Sequence, residues 1–215
     1  MKAYLVKPNN LAANAKTGAV VVIHENRGLN PHIRDVTRRV AQAGYIALAP
    51  DALSGSGGTP ANEDEARELI GKLDAQQNLN NYLKALDYLQ GLPECNGKTG
   101  CVGFCWGGGL ANQMAVHAPN LKAAVAYYGR QPDAAGVPEI KAALLLHYGG
   151  LDERINAGIP AYEAALKAAG IKYQLYVYEG AQHAFNNDTA PTRYNKAAAD
   201  KAWERTLQLF SETLS

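Results

Sequence analysis

One cysteine of this 215-residue chain lies in a setting typical of a catalytic nucleophile. Cys105 is the centre of Gly103-Phe104-Cys105-Trp106-Gly107, which matches the G-x-S-x-G nucleophile elbow with cysteine in place of serine. A sharp strand-to-helix turn brings two backbones close together, and glycine two residues to either side leaves room for it. The pattern places the thiol at a helix N-terminus, where the helix dipole favours the thiolate. We therefore expect the pKa of this thiol to lie below its ordinary value.

A cysteine nucleophile requires a base and a group that orients the base, and two downstream residues fit these roles. Asp152 follows the predicted strand 142–148, and His183 follows the predicted strand 173–178. Each residue alone has a simpler interpretation, because aspartate is common in turns, a loop histidine is usually solvated, and a lone cysteine usually packs as a small hydrophobe. The order nucleophile, acid, histidine at three strand ends is that of α/β-hydrolases, and it favours a Cys105, His183 and Asp152 triad.

The loop after the second predicted strand completes the candidate site. In this architecture one of its backbone amides and the amide after the nucleophile form an oxyanion hole, which assigns the amides of Asn26 and Trp106. Glu25 stands at the end of a buried strand, where a carboxylate needs a partner. Two interpretations are open for it: an ion pair with Arg27 or Arg34 that fixes the loop, or an interaction with the thiol of the nucleophile.

Alternating apolar runs and amphipathic stretches must position these residues. Predicted strands cover residues 2–7, 19–24, 45–50, 100–104, 123–128, 142–148 and 173–178. Predicted helices begin at Pro31, capped by Asn30 and closed at Gly44, and otherwise cover residues 63–73, 77–89, 110–117, 159–169 and 196–214. Strands separated by helices of this length imply right-handed crossovers and a mostly parallel sheet. We predict an α/β fold: one domain over residues 1–215, with helices on both faces of the sheet and no large cap domain.

Composition disfavours several classes of protein. Hydrophobic residues make up 47% of the chain and charged residues 19%, which argues against intrinsic disorder. The formal net charge is +1, so nucleic acid is a disfavoured partner. No apolar run approaches the roughly 18 residues of a membrane helix, and the first residues lack the layout of a signal peptide. Three cysteines form an odd set, so a disulfide framework is not expected and a reducing cytoplasm is the simplest compartment.

The sequence gives little support for a metal site. His24-Glu25 begins like the zinc motif H-E-x-x-H, but Gly28 stands where the second histidine ligand belongs. His32 and His117 fall on helices without a partner at metal-ligand spacing, and His147 falls within a strand. We therefore expect no metal and no cofactor.

Taken together, these segments resemble the dienelactone hydrolase (carboxymethylenebutenolidase) family. The resemblance extends from Ala19 to the last helix, and a cysteine elbow combined with a glutamate after the second strand is specific to it. The matching segments are His24–Gly28 (H-E-N-R-G), Ala49–Asp51 (A-P-D), Gly103–Gly108 (G-F-C-W-G-G), Leu151–Arg154 (L-D-E-R) and Gln182–Phe185 (Q-H-A-F).

The resemblance implies a α/β-hydrolase fold, the triad named above, and Glu25 as the residue that accepts the thiol proton when substrate binds. It also implies hydrolysis of an enol-lactone ester through an acyl-cysteine. The chain departs from the family at two positions where arginines bind a substrate carboxylate. Residues 51–62 contain no arginine, and Asn186-Asn187-Asp188 follows the histidine loop. The resemblance therefore implies dienelactone-like esters or lactones as substrates but does not assign dienelactone itself.

The leading hypothesis is a cofactor-free cysteine hydrolase of small esters or lactones, monomeric or a small homo-oligomer. A non-catalytic relative that binds a small hydrophobic ligand is one alternative. A thiol redox sensor, in which Cys101 resolves an oxidised Cys105, is another. The buried strand position expected for Cys101 makes this pairing unfavourable. Tyr127 and Tyr128 either line the pocket or, as the pattern favours, belong to the strand core.

Overall fold

A computed structural model describes residues 1–9, 11–12 and 14–215. Within these residues, seven strands form one sheet in the order β1-β3-β2-β4-β5-β6-β7. Only β1, at the edge, runs antiparallel to its neighbour, and the other pairs are parallel. The strands are β1 (Ala3–Val6), β2 (Thr17–Ile23), β3 (Ile46–Pro50), β4 (Cys95–Phe104), β5 (Ala123–Tyr127), β6 (Ala143–Gly149) and β7 (Tyr173–Tyr178).

Helices cover both faces of this sheet, as the alternating pattern predicts. The helices are α1 (Pro31–Gln42), α2 (Glu63–Gly71), α3 (Ala75–Gln90), α4 (Trp106–His117), α5 (Glu153–Asn156), α6 (Ile159–Ala168) and α7 (Lys196–Leu214). Helices α1 and α7 pack on one face, and α3, α4 and α6 pack on the other. In β2, Val20 and Val22 point to the first face while Val21 points to the second, so this strand is apolar throughout. The predicted α/β fold is confirmed, and in the described part of the chain no large cap is evident.

The predicted helix caps form as expected at α1. The Asn30 side chain accepts a hydrogen bond of 3.1 Å from the amide of Ile33, and Pro31 occupies the first helical position. Gly44, just beyond the helix, has a φ of 101°, which favours glycine. None of the helices described here is long and apolar enough to cross a membrane.

Two boundaries of the predicted elements differ from the structure by more than two residues. Strand β4 begins at Cys95, which is buried, and not at Gly100, because Thr17 pairs with Cys95 across a register shift in β2. Cys95, which lies outside the predicted strand 100–104, is therefore a buried strand residue. Helix α4 begins at Trp106 and not at Leu110. The prediction missed its first turn because this glycine-rich segment lacks the apolar periodicity by which helices are recognised.

Candidate active site

Cys105 occupies the sharp turn between β4 and α4. Its backbone has φ 55° and ψ −114°, a left-handed conformation that is unfavourable for a residue with a Cβ. A Cβ added to Gly103 would overlap the backbone carbonyl of Gly107, and one added to Gly107 would overlap the carbonyl oxygen of His24. The two glycines flanking the nucleophile therefore permit the close approach that the elbow motif predicts.

Cys101 and Cys105 lie in different surroundings. Cys101 is fully buried in the core on the side of α3 and α4, while Cys105 is half-buried and packs against the core on the opposite side. Burial raises the pKa of the Cys101 thiol to about 12, which disfavours its thiolate. These features argue against Cys101 as the resolving cysteine of a redox pair.

Asp152 and His183 are brought together by the loops that follow β6 and β7. Oδ2 of Asp152 accepts a hydrogen bond of 2.5 Å from Nδ1 of His183. The two loops are themselves joined by a backbone hydrogen bond of 2.9 Å from Leu151 to Ala181. The Asp152 side chain is 6% exposed and that of His183 is 24% exposed, so the carboxylate is shielded while the ring reaches solvent. With Nδ1 bound to the carboxylate, Nε2 is the nitrogen that can accept a proton.

Glu25 is buried, and its partners differ from both arginines considered from the sequence. Oε1 accepts from the hydroxyl of Tyr128 at 3.3 Å, and Oε2 accepts from Nδ2 of Asn187 at 2.8 Å. Arg27 instead pairs with Asp64 at 2.9 Å. The interpretation of Glu25 as an ion-pair partner of Arg27 or Arg34 is therefore wrong, because neutral donors from the residue after β5 and from the histidine loop reach the carboxylate.

The thiol of Cys105 has a raised pKa, which corrects the expectation of a lowered one. Burial and, secondarily, the negative charge of Glu25 raise the pKa of this thiol to about 11. Hydrogen bonding from the backbone amides of Trp106 and Asn26 and the charge of Arg154 act in the opposite direction. The helix terminus thus contributes as predicted, but desolvation and the neighbouring carboxylate outweigh it. A pKa of about 11 favours the protonated thiol over the thiolate at neutral pH.

The backbone amides of Asn26 and Trp106, to which the sequence assigns the oxyanion hole, lie near enough to the Cys105 sulfur to lower its pKa. Neighbouring contacts hold both segments in place. The indole of Trp106 stacks on the His24 imidazole, with ring centroids 5.2 Å apart. His24 Nδ1 donates to the carbonyl of Glu25 at 2.7 Å, since Nε2 already accepts from the amide of Ala52.

A threonine ties this loop to the one after β3. The hydroxyl of Thr59 donates to Asp51 at 2.9 Å and accepts from the amide of Leu29 at 2.8 Å. Gly28, with a φ of 75°, packs so closely on Thr59 that a Cβ at this position would overlap the side chain. The loop that carries Glu25 and Asn26 is therefore anchored on both sides.

Tyr128 lies between the candidate residues. Its hydroxyl donates to Glu25, and its ring centroid is 5.0 Å from that of His183. Its φ is 40°, and its amide donates to the carbonyl of His147 at 2.7 Å, so the chain leaves β5 in a constrained turn. Tyr127, by contrast, is a core residue whose hydroxyl shares a hydrogen bond of 2.7 Å with Thr206. No sequence signal separates the two tyrosines.

In the part of the chain that the structure describes, no hydrogen bond joins Cys105 to His183. The hydrogen bond of His183 Nδ1 goes to Asp152, and the sulfur faces the two amides and the charge of Glu25. Tyr128 lies near Glu25 and Cys105 and contacts the His183 ring, so these three groups surround one tyrosine. The structure thus brings Glu25, Cys105 and His183 together around Tyr128.

A cavity of about 430 Å³ opens beside Cys105. Apolar side chains of Trp106, Leu73, Leu79 and Leu110 form one part of its wall. The polar and charged side chains are Asn78, Gln76, Gln113, His117, Arg130, Gln131 and Asp133. Gln131 is held by hydrogen bonds from its Nε2 to the hydroxyl of Tyr148 and the carbonyl of Ile155. A cavity of this size and lining accommodates a small organic molecule next to the sulfur.

The amino-acid sequence is similar to a family of known proteins over its whole length. A model of the dienelactone hydrolase family matches residues 1–214. The chain is 35% identical over 229 residues to "Putative carboxymethylenebutenolidase" of Escherichia coli O157:H7, covering 99% of this chain and 82% of the relative. It is 33% identical over 251 residues to the protein of the same name in Saccharolobus solfataricus, covering 95% of this chain and 91% of the relative.

The fold is also similar to that of a solved relative. The crystal structure of "Putative Dienelactone Hydrolase" from Klebsiella pneumoniae superposes with a TM-score of 0.86 at 31% sequence identity. The superposition covers 97% of this chain and 92% of the other. The similarity therefore extends over nearly the whole of both chains.

Proposed function

The chain belongs to the dienelactone hydrolase family, and we propose that it hydrolyses small esters or lactones with Cys105 as nucleophile, His183 as base and Asp152 as the group that orients the base. The family assignment supports a hydrolase of the α/β-hydrolase fold acting on esters or lactones. The individual roles are our inference from the geometry. The observation that carries it is a strained cysteine at the elbow together with a buried carboxylate bound to a solvent-reaching histidine.

The first half of the reaction follows from the resting thiol. Binding of substrate brings a carbonyl to Cys105, and Glu25 accepts the thiol proton. The thiolate attacks the carbonyl carbon, and the amides of Asn26 and Trp106 stabilise the oxyanion. Collapse of this intermediate breaks the ester C–O bond, leaves an acyl-cysteine, and the departing alkoxide takes the proton from Glu25.

The second half uses the histidine pair. Nε2 of His183 accepts a proton from water, and the resulting hydroxide attacks the thioester carbonyl. The C–S bond then breaks, the acid leaves, and the proton passes from His183 to the sulfur. Asp152 holds the ring in the required tautomer and stabilises the imidazolium that forms.

Substrate class follows from the leaving groups and from the cavity. A thiolate is itself a good leaving group, so a tetrahedral intermediate formed from an amide tends to return to the thiolate. Esters with an acidic alcohol, such as enol esters and enol lactones, expel the alcohol instead. Residues 51–62 lack arginine, and Asn187 binds Glu25, so neither family position for binding a carboxylate is available. We therefore propose small esters or lactones other than dienelactone.

The proposal is tested with Cys105→Ala and turnover of p-nitrophenyl acetate and a panel of lactones. We expect hydrolysis to fall to the rate of the uncatalysed reaction while the thermal unfolding midpoint stays close to that of the wild type. Cys101→Ala is the matched control and should retain turnover. Wild-type turnover by Cys105→Ala would refute the proposal, and binding without turnover by the wild type would identify a ligand-binding relative.

A further inference from the structure

Asn187 is a buried residue of the histidine loop to which the proposed reaction assigns no step. Its Nδ2 donates to Oε2 of Glu25 at 2.8 Å. Its Oδ1 accepts from both the amide of Thr189, at 3.0 Å, and the hydroxyl of Thr189, at 2.7 Å. Because a backbone amide can only donate, the carboxamide oxygen must face Thr189 and the nitrogen must face Glu25. The orientation of Asn187 is therefore determined by its neighbours.

The next residue anchors this segment to helix α1. Oδ1 of Asp188 lies 3.1 Å from Nδ1 of His32, and Oδ2 lies 2.5 Å from Nη2 of Arg39. His32 is itself buried, so the contact is partly shielded from water. Asp188 thus stabilises this segment against α1, while the Asn187 carboxamide itself is held by Thr189 and Glu25.

Two neutral donors hold the carboxylate of Glu25 in place. Both oxygens accept hydrogen bonds, from Asn187 and Tyr128, and both donors are neutral. The other titratable groups nearby are Cys105 and His183, which flank Tyr128. An ionised Glu25 is the form that can take the thiol proton.

We propose that Asn187 is a positioning residue that fixes the orientation of the Glu25 carboxylate within the site. This inference rests on the proposed function, in which Glu25 accepts the proton of the nucleophile. Asn187 touches no reacting atom and acts through Glu25 alone. The site thereby uses a neutral donor within the chain, so activation of the thiol does not depend on a charged group of the substrate.

The pH dependence of kcat/KM for p-nitrophenyl acetate separates this role from a structural one. Asn187→Asp keeps the shape of the side chain but places a second carboxylate beside Glu25, and two adjacent carboxylates retain a proton to higher pH. We expect the acidic limb of the profile to move up by about one pH unit or more. Asn187→Ala removes the donor, and we expect kcat/KM at neutral pH to fall by about 10- to 100-fold.

A double-mutant cycle supplies the second readout. If Asn187 acts through Glu25, then Asn187→Ala should produce little further loss of kcat/KM in the Glu25→Gln background. Asp188→Asn is the matched control, because it weakens the anchor to α1 while leaving the donors to Glu25 in place. It should lower the unfolding midpoint without moving the acidic limb.

Three results would overturn the inference: an unmoved acidic limb in Asn187→Asp, additive losses in the cycle, or equal shifts for Asp188→Asn and Asn187→Asp. Asn187→Asp preserves the volume of the side chain, so its pH profile tests the inference even if Asn187→Ala does not fold. Failure of the proposed function is recognised separately, because Cys105→Ala would then turn over substrate like the wild type.

Discussion

The carboxylate of Asp152 accepts a 2.5 Å hydrogen bond from Nδ1 of His183, although the two residues lie in different loops, after β6 and after β7. The second carboxylate oxygen of Asp152 accepts from the amide of Ile155 at 3.4 Å and caps helix α5. One buried side chain therefore both orients the proposed base and begins a helix. Asparagine at this position would replace the oxygen that faces His183 and keep the oxygen that caps the helix.

Asp152→Asn is expected to abolish most of the activity while leaving the stability nearly unchanged. An asparagine amide facing His183 would donate to Nδ1 and move the ring proton to Nε2, which could then no longer accept a proton from water. A comparable change in a Ser-His-Asp protease lowers kcat about 10⁴-fold, and we expect a loss of roughly 10³- to 10⁴-fold here. Steady-state kinetics and urea unfolding measure the two effects. Glu153→Gln, at the neighbouring exposed carboxylate, should leave both unchanged, and a tenfold or smaller loss in Asp152→Asn would contradict the assignment.

The raised pKa of Cys105 predicts the pH dependence of its alkylation. Below a pKa of about 11, the thiolate fraction increases tenfold per pH unit, so the rate of iodoacetamide modification should rise steadily between pH 7 and pH 10. Glu25→Gln removes a negative charge that raises this pKa, and the variant should therefore react faster than the wild type at pH 8. Peptide mass spectrometry distinguishes Cys105 from the buried Cys95 and Cys101. A rate that is already maximal at pH 7 would show that the resting sulfur is a thiolate.

Gly107→Ala should destabilise the elbow. The added Cβ would overlap backbone atoms of Ile23 and His24 at the end of β2, which cannot move independently of the sheet. Alanine is the better helix former, so any loss must come from this overlap. We expect the free energy of unfolding to fall by about 1–3 kcal/mol or more. Gly71→Ala, at the end of α2 where a Cβ meets open space, is the control and should be neutral or stabilising. Equal stability of the two variants in urea would contradict the close approach.

His147 predicts a loss of stability at acidic pH. It is buried, and burial lowers its pKa from 6.5 to about 3, with the charge of Arg205 acting in the same direction. Between these values the unfolded chain binds a proton that the folded chain excludes, so stability decreases as the pH falls below 6.5 and is fully present above it. This group contributes a slope of about 1.4 kcal/mol per pH unit.

His147→Asn tests this slope by removing the titrating group while leaving polar atoms near Tyr178 and Thr206, the partners of the ring. The free energy of unfolding of the variant should depend less steeply on pH between 6 and 4 than that of the wild type. His24, whose pKa burial also lowers, is present in both proteins and cancels in the comparison. Identical slopes would show that His147 is protonated in the folded state.

The boundaries of elements with strong apolar periodicity could be predicted from the sequence to within about two residues. The boundaries of the glycine-rich elements β4 and α4 could not. The apolar run of β2 and the capped start of α1 at Asn30 are local signals, and both are confirmed. The first turn of α4, Trp-Gly-Gly-Gly, has poor helix propensity and forms because the elbow and the sheet hold it in place. The start of β4 depends on a register shift in its partner strand, which no local pattern reveals.

The positions of the candidate site were predictable, but its electrostatics were not. Cys105, Asp152 and His183 each follow a strand, and parallel strands bring their carboxyl ends to one edge. The partners of Glu25 lie 103 and 162 residues away along the chain, at Tyr128 and Asn187, so tertiary structure alone pairs them. The burial that raises the pKa of the thiol is likewise a property of the folded chain.

Trapping the acyl-enzyme tests the central claim most directly. His183→Ala removes the base that activates water, so an acyl group transferred to the enzyme should persist. After incubation of this variant with p-nitrophenyl acetate and acid quenching, we predict one acetyl group per chain, located by peptide mass spectrometry on Cys105. Absence of acetyl on the peptide that contains Cys105, in a variant whose wild-type parent turns over the ester, would contradict the account.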